Sequence, residues 1–126
     1  MSTENRFTSD ELTRIDRADD LHISPFRDDG VTYGTPTWIW EVVVADSLYV
    51  RAYSGRNSSW YKSAMKQKQG CIHAAGMSWD VRFESADGNI NASIDEAYKK
   101  KYGHSPHLSA MIGSRAVAAT VVIIPK

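Results

Sequence analysis

The chain has 126 residues, in which 15 Lys and Arg balance 15 Asp and Glu, and it contains one cysteine. This length fits one domain, residues 1–126, with a core large enough to fold without disulfides. A single cysteine excludes an internal disulfide framework and a cysteine-rich zinc module. Zero net charge argues against duplex nucleic acid as a partner, because such binding needs surplus Lys and Arg.

The N-terminus is polar and no signal-like apolar run follows it. The longest apolar stretch, Ala116–Pro125, is too short to cross a bilayer. We therefore expect a cytoplasmic protein with no membrane partner. Residues 1–7 could form a disordered N-terminus.

The first predicted element is a helix over Ser9–Arg17. Thr8 and Glu11 have the spacing of a capping box, in which each side chain binds a backbone N–H at the helix start. Phe7 and Leu12 occupy the two positions of a hydrophobic staple. These local signals mark the helix start clearly.

Three strands are predicted next. The two-residue connection Asp46-Ser47 would join the second and third of them in a hairpin. They cover Leu21–Phe26, Trp38–Ala45 and Leu48–Tyr53. The strand from Trp38 is almost continuously apolar, which is typical of burial on both faces. In the strand after the hairpin turn, Arg51 shares a face with Tyr49 and Tyr53, whereas the other face is apolar.

The second half of the chain alternates between short helices and strands. One helix is predicted over Ser59–Gln67, with Gly70 placed to end it. A second runs from Ser93, which forms a capping box with Glu96, to Gly103. One or two helical turns are predicted within Ser105–Ile112. Strands are predicted over Gly70–Ala74, from Gly76 to Glu84, and over Arg115–Ile124. Six mostly antiparallel strands with short helices indicate a small barrel or an α+β sandwich. The absence of a βαβ series and of a GxGxxG turn argues against a Rossmann fold.

The segment from Arg51 to Tyr61 is the best candidate for chemistry, because it joins a strand to a helix start. Such a start presents unpaired N–H groups and a partial positive charge that suit a phosphate. The candidates are the guanidinium groups of Arg51 and Arg56, the hydroxyls of Ser54, Ser58 and Ser59, and the flexible Gly55. From Arg51 to Lys68 there are five cationic side chains and no carboxylate. The alternative is that a serine only caps the helix and the arginines face solvent.

The remaining reactive side chains give weaker signals. The four histidines lack metal-ligand spacing, so we predict no metal site; they are His22, His73, His104 and His107. Cys71 and His73 share a strand face, but no oxyanion site is evident that would make them a nucleophilic pair. Trp38 and Trp40 also share a face, so one of them could stack on a planar ring, although tryptophans are mostly core residues.

Several short motifs in combination resemble a bacterial family of uncharacterised proteins, a domain of unknown function, over about Phe7 to Pro125. The motifs are Asp46–Gly55, Ser59-Trp60-Tyr61, Gly70-Cys71-Ile72, Ile94–Tyr98, Lys101-Tyr102 and Ala118-Ala119-Thr120. That family looks like a branch of the split β-barrels, which include pyridoxamine-phosphate-oxidase-like flavin proteins and deazaflavin-dependent nitroreductases. The resemblance implies a mainly β (α+β) fold, a six-stranded antiparallel split β-barrel with short peripheral helices.

The resemblance also implies a function, an oxidoreductase that binds FMN or a deazaflavin, acts on a small-molecule substrate and forms a homodimer. The implied cofactor-binding residues are Arg51, Tyr53, Ser54, Gly55, Arg56, Ser58, Ser59, Trp60 and Tyr61. Tyr53 is a candidate proton donor or ring contact, and no other catalytic residue is implied. The loop departs from the nitroreductase pattern, since Tyr53 and Ser54 stand near the positions of a second glycine and a lysine. The alternative function is a non-catalytic split barrel that binds a small molecule or acts as a scaffold.

Overall fold

The computed structural model describes residues 6–126 of the chain. Of the segment 1–7, for which we considered disorder, residues 1–5 therefore lie outside the described residues. Phe7, by contrast, is buried, and its ring packs edge-on against Trp79 with the ring centroids 5.4 Å apart. Within the described part of the chain, no helix has both the length and the apolar character needed to cross a membrane.

Within residues 6–126, five helices and seven strands form the fold. The helices are α1 (Ser9–Arg17), α2 (Ser59–Gln67), α3 (Asn91–Tyr102), α4 (Leu108–Met111) and α5 (Ser114–Val117). The strands are β1 (His22–Pro25), β2 (Thr37–Trp38), β3 (Glu41–Val44), β4 (Ser47–Arg51), β5 (Gln69–Ala74), β6 (Met77–Ser85) and β7 (Thr120–Pro125). Two short 3-10 helices, at Gly55–Asn57 and Gly88–Ile90, precede α2 and α3.

The seven strands form one antiparallel sheet in the order β2-β1-β5-β6-β7-β4-β3, which curls into a half-barrel. This confirms the predicted mainly β class, with seven strands rather than six. The additional strand arises because the single strand predicted over Trp38–Ala45 is interrupted. Thr37–Trp38 pairs with β1 at one end of the sheet, whereas Glu41–Val44 pairs with β4 at the other. The chain crosses between the two ends at Ile39 and Trp40.

Two apolar clusters hold the fold together. The main core lies inside the curled sheet, where α1 and α2 pack on alternate residues of the strands. A second, smaller core lies between β3 and α3 and contains Val42, Ile94, Tyr98, Met111 and Ala116. Alternation along β4 places Leu48 and Val50 in the main core and turns Tyr49 towards the second core.

The turn of the β3–β4 hairpin and the C-terminal cap of α2 are formed by residues that the sequence did not indicate. The hairpin turn is Ala45-Asp46, one residue earlier than predicted, and both residues have positive φ, 50° and 65°. Helix α2 ends at Gln67, and its cap is Lys68, which adopts φ 62°, rather than Gly70. Gly70 belongs to β5, where a Cβ atom would lie 2.4 Å from the carbonyl oxygen of Ser24. The glycine therefore permits close strand packing and is not a helix cap.

Two further predictions in the last third were wrong in detail. Helix α3 begins at Asn91, directly after a 3-10 turn, so Ser93 lies inside the helix and does not cap it. The final strand does not begin at Arg115, because Ser114–Val117 forms α5 and β7 begins at Thr120.

Candidate functional site

A cavity of about 560 Å³ lies at the end of β4, beside the start of α2 and the crossing from β2 to β3. This volume is within the range of pockets that enclose most of a small ligand. The lining is rich in aromatic rings and serine hydroxyls, and we name it the aromatic cavity. The rings are Trp38, Trp40, Tyr53, Trp60 and His107, and the serines are Ser54, Ser58 and Ser105.

The aromatic walls of this cavity come from separate elements and are held by specific contacts. Trp40 stacks on Tyr102 of α3, with parallel rings and centroids 4.1 Å apart. The Tyr53 hydroxyl lies 3.4 Å from Nδ1 of His107, which joins the end of β4 to the residue before α4. The indole N–H of Trp38 donates to a main-chain carbonyl, while 53% of the residue's surface remains exposed. The cavity thus has a fixed inner ring and two exposed rings at its mouth.

The floor of the cavity contains the fully buried Arg51, whose five N–H donors all have protein acceptors. Nε donates to Thr120 Oγ1 at 3.0 Å, and Nη1 donates to Asp95 Oδ1 at 2.5 Å and to the Met111 carbonyl at 3.1 Å. Nη2 donates to the main-chain and side-chain oxygens of Asn91, both at 3.3 Å. Arg51 therefore ties β4 to α3, α4 and β7. Its charge is paired with the Asp95 carboxylate, and it has no further hydrogen bond to offer a ligand.

The start of α2 provides the polar edge of the cavity. Ser58 is the residue before the first helical turn, but its hydroxyl does not cap the helix, and the first turn contains no acidic side chain. Ser54 and Ser58 both line the cavity. An uncapped helix start carries N–H donors and a partial positive charge, so this edge suits an anionic group.

Gly55 and Arg56, in the same segment, contact the C-terminal part of the chain instead. Gly55 has φ +74°, and a Cβ atom there would lie 2.4 Å from Cγ of Arg115. Arg56 Nε donates to the carbonyl of Ala118 at 3.2 Å. The close approach that Gly55 permits is therefore to Arg115 of α5, not to the cavity.

The structure brings together five of the nine residues that the resemblance implied. Arg51, Tyr53, Ser54, Ser58 and Trp60 line the aromatic cavity, whereas Gly55, Arg56, Ser59 and Tyr61 do not. Ser59 lines a separate cavity of about 220 Å³, for which Trp60 is a shared wall, and Tyr61 packs on the main core.

Sequence reasoning missed the part of the lining that comes from the segment around α4. Ser105, His107 and Met111 are distant in sequence from β4, and no local pattern marks them. They reach the cavity because α4 packs near the end of β4 through the Arg51 network. For Trp38 and Trp40 a signal existed, since alternation placed both on one face of the predicted strand.

A second ionisable pair lies beside the second core, outside the cavity lining. Glu41 is 1% exposed, and its carboxylate pairs with Lys101 of α3. Burial raises the pKa of Glu41 to about 8, against the opposing effect of Lys101, and the carboxylates of Asp16 and Asp20 add to the increase. Among the described residues, Oε2 of Glu41 has no hydrogen-bond partner. This pair belongs to the packing of β3 on α3.

A family model described as an uncharacterized protein conserved in bacteria, DUF2255, matches residues 11–123. The chain belongs to this family. A search of the curated proteins found no match. The matched range runs from α1 to β7 and includes every residue of the aromatic cavity. Because the family description names no activity, the function has to be inferred from the cavity itself.

Proposed function

We propose that this DUF2255 protein binds a planar, phosphorylated cofactor of the flavin or deazaflavin class in the aromatic cavity. With that cofactor it would act as an oxidoreductase on a small molecule. One observation carries the proposal: aromatic walls and an uncapped helix start line the same cavity. This pairing suits a ligand with a flat ring at one end and an anion at the other.

The ring of such a ligand is supported by the aromatic side chains. Tyr53 and Trp38 are exposed at the mouth, and Trp60 forms an inner wall. Stacking on such rings is favourable and tolerates different planar ligands. Tyr53 would contact the ring or hold a proton at its hydroxyl, which the His107 imidazole can exchange with it.

The phosphate is supported by the polar edge. The hydroxyls of Ser54 and Ser58 and the first N–H groups of α2 would donate to its oxygens. Arg51 would not bind the phosphate, because its donors are bound to protein acceptors and its charge is paired with the Asp95 carboxylate. A bound flavin or deazaflavin supplies the hydride chemistry, and the chain's own residues hold and orient it.

One observation favours the second candidate function, a binding protein without catalysis. Neither predicted arginine offers the cavity a free guanidinium, since Arg51 is saturated and Arg56 does not line the cavity. A cavity of this kind also suits an uncharged planar ligand. Riboflavin and FMN distinguish an uncharged from a phosphorylated ligand, because they share the ring and differ in the phosphate.

We also propose a homodimer, as the resemblance implies. The support is that Trp38 and Tyr53, which are 53% and 51% exposed, lie at the mouth of the cavity. A second copy placed there would cover apolar rings and close the cavity. Light scattering on the purified protein measures the oligomeric state directly, and a monomer at all concentrations would contradict this assembly.

The binding proposal is tested by titrating the protein with FMN, riboflavin and a phosphorylated deazaflavin. Visible absorbance of the ligand and tryptophan fluorescence are both recorded. We expect saturable binding of FMN or the deazaflavin below about 100 μM. FMN should bind about tenfold more tightly than riboflavin, since the phosphate gains charge-assisted hydrogen bonds. No spectral change with either phosphorylated ligand would overturn the proposal, and equal affinities for FMN and riboflavin would show that the polar edge does not bind the phosphate.

Tyr53→Ala is the variant that locates the binding. It removes an exposed ring at the cavity mouth and should weaken FMN binding about tenfold without unfolding the protein. Tyr33→Ala is the matched control, because Tyr33 is also an exposed tyrosine, 44% exposed, but lies outside the aromatic cavity. Equal effects of the two substitutions would mean that the ligand binds elsewhere.

A further inference from the structure

Helix α3 holds Trp40 in the wall of the aromatic cavity through its two tyrosines. The ring of Tyr102 stacks on the Trp40 ring, with the ring centroids 4.1 Å apart. The Tyr98 hydroxyl donates to the main-chain carbonyl of Trp40 at 3.4 Å. The Tyr102 hydroxyl also bonds to the main chain of Glu41, since it accepts from the N–H and donates to the carbonyl, both at 3.3 Å. The position of the Trp40 ring therefore depends on how β3 packs on α3.

The buried pair of Glu41 and Lys101 contacts the same tyrosine. Glu41 is 1% exposed, and its Oε1 pairs with Nζ of Lys101. The same Nζ lies over the Tyr102 ring, 5.4 Å from its centroid, which is within the range of a cation–π contact. One ammonium group thus contacts both the carboxyl next to Trp40 and the ring that supports Trp40. A change in the charge of Glu41 alters the balance between these two contacts.

The surroundings of Glu41 favour its neutral form. From β4 it faces the apolar Val50. The ionisable groups that act on it come from α3, from α1 and from the segment after α1, and they are Lys101, Tyr98, Tyr102, Asp16 and Asp20. Burial is the largest influence and raises the pKa of Glu41 to about 8, with the two aspartates acting in the same direction and the lysine opposing them. Burial raises the pKa of both tyrosines too, so the proton exchanged near neutral pH is that of Glu41.

Ionisation of Glu41 creates a buried charge that its neighbours satisfy only in part. Its Oε2 has no hydrogen-bond partner among residues 6–126, so one ammonium group serves two carboxylate oxygens. A buried charge is tolerated when it is paired and hydrogen-bonded throughout. The ionised side chain can meet this need by turning towards water or by drawing Lys101 away from the Tyr102 ring. Either movement displaces a direct neighbour of Trp40.

We propose that Glu41, Lys101 and Tyr102 form a proton-sensitive support for the aromatic cavity, which holds the Trp40 ring in the wall while Glu41 is protonated and displaces the ring when Glu41 ionises. These three are positioning residues, because they act through Trp40 and do not line the cavity. The coupling belongs to the chain without any ligand. Its consequence for binding rests on the proposed function: a planar ligand that contacts Trp40 binds more tightly to the protonated form.

The test is fluorine NMR of the full chain labelled with fluorotryptophan, recorded without ligand from pH ~6 to pH ~9. The four signals are assigned by substituting one tryptophan at a time. We expect the Trp40 signal to follow one titration curve with its midpoint at about pH 8, where Glu41 ionises. Trp79 is the internal control, since its indole donates to Glu11, whose hydrogen bonds lower the pKa of that carboxyl. A Trp40 signal that stays constant, or that moves only as Trp79 does, would overturn the proposal.

Two substitutions assign the titration to Glu41. Glu41→Gln keeps the size of the side chain and cannot ionise, so the Trp40 titration should disappear. His107→Asn removes the histidine from the cavity lining and should leave the Trp40 titration in place. Persistence of the titration in Glu41→Gln, or its loss in His107→Asn, would overturn the proposal.

Substitution of Lys101 gives a readout that a merely structural role would not move. Lys101→Met removes the cation that favours ionised Glu41, so the midpoint of the Trp40 titration should rise by about one pH unit or more. Lys100→Met is the matched control, because Lys100 is the adjacent lysine of α3 and is exposed. It should leave the midpoint unchanged. Equal midpoints in the two variants would contradict the role of Lys101.

The consequence for binding is measured with riboflavin, which has no phosphate to titrate. Its affinity for the wild type should be about threefold or more higher at pH ~6.5 than at pH ~8.5, and equal at the two values for Glu41→Gln. Equal affinities in the wild type would contradict the coupling of Glu41 to the cavity. The two proposals fail separately, because absence of any flavin binding would overturn the proposed function, whereas the ligand-free titration of Trp40 decides this one.

Discussion

The aromatic cavity and the polar network beneath it both use residues of the segment from the end of β4 to the start of α2, yet they differ in what remains available to a ligand. In the network, every N–H of Arg51 is bonded to a protein oxygen. In the cavity above, Tyr53 is half exposed and Ser58 leaves the start of α2 uncapped. The positive charge is thus structural, while the uncharged groups are free to bind. A cluster of cationic residues in a sequence therefore indicates a ligand site only where their N–H donors are not already bonded to protein acceptors.

The largest expected effect comes from removing the Arg51 hydrogen-bond network. Arg51→Met leaves the acceptors of Asn91, Asp95 and Met111 without their donors and should lower the free energy of unfolding by about 3–5 kcal/mol. Urea denaturation measures this loss. Arg56→Met is the control, because Arg56 is exposed and makes one bond to a carbonyl, and we expect a loss below about 1 kcal/mol. Equal losses in the two variants would contradict the assignment of Arg51 as a structural residue.

Glu41 differs from the fully bonded Arg51, because it is also buried but its Oε2 has no hydrogen-bond partner among the described residues. Its folded pKa is raised from 4.5 to about 8, so between these values the folded chain binds a proton that the unfolded chain does not. The free energy of unfolding should therefore fall as pH rises through this range, by up to about 1.4 kcal/mol per pH unit. Urea denaturation of Glu41→Gln across the same range should lack this contribution. Parallel pH profiles for the two proteins would show that the Glu41 carboxyl titrates normally.

Substitution of Gly55 tests whether packing against Arg115 determines the conformation of the loop between β4 and α2. Gly55→Ala adds a methyl group against Arg115 at a positive φ and should cost about 1–3 kcal/mol of stability. Two other glycines separate the causes. Gly76 has φ +76° with open space around its Cβ position, so Gly76→Ala measures the backbone cost alone. Gly88 has neither constraint, so Gly88→Ala should be near neutral. A neutral Gly55→Ala in thermal denaturation would contradict the packing against Arg115.

The smallest expected effect concerns the polar edge of the aromatic cavity. Ser58→Ala removes one hydroxyl from the cavity edge and should weaken FMN binding about threefold to tenfold, the cost of one hydrogen bond. Ser59→Ala is the control, since the neighbouring hydroxyl lines the other, smaller cavity. The two variants are compared in the same fluorescence titration. A larger effect of Ser59→Ala would place the phosphate on the opposite side of Trp60.

The sequence was most informative where structure depends on neighbours in the chain. The helix Ser9–Arg17 has the predicted bounds and the predicted capping box between Thr8 and Glu11, because caps depend on residues three positions apart. Helix Ser59–Gln67 also has its predicted bounds. Alternation in β6 correctly predicted that Val81 and Phe83 point into the core.

Features that depend on distant residues could not be predicted. Alternation gave the face of Arg51, but its acceptors lie on Asn91, Asp95, Met111 and Thr120, which only folding brings together. The interruption of the strand after Trp38 has a similar origin, since pairing at opposite ends of the sheet decides it. For the same reason the cavity lining from the α4 segment carried no local signal.

The central claim, that the aromatic cavity binds the cofactor, is tested most directly by the indole N–H signals of the four tryptophans in an NMR titration with FMN. Trp38, Trp40 and Trp60 line the cavity, whereas the Trp79 indole donates to Glu11 beneath α1 and serves as an internal control. We predict saturable shifts of the three cavity indoles and an unchanged Trp79 signal. Unchanged cavity signals, or a shift of Trp79 as large as theirs, would contradict the claim.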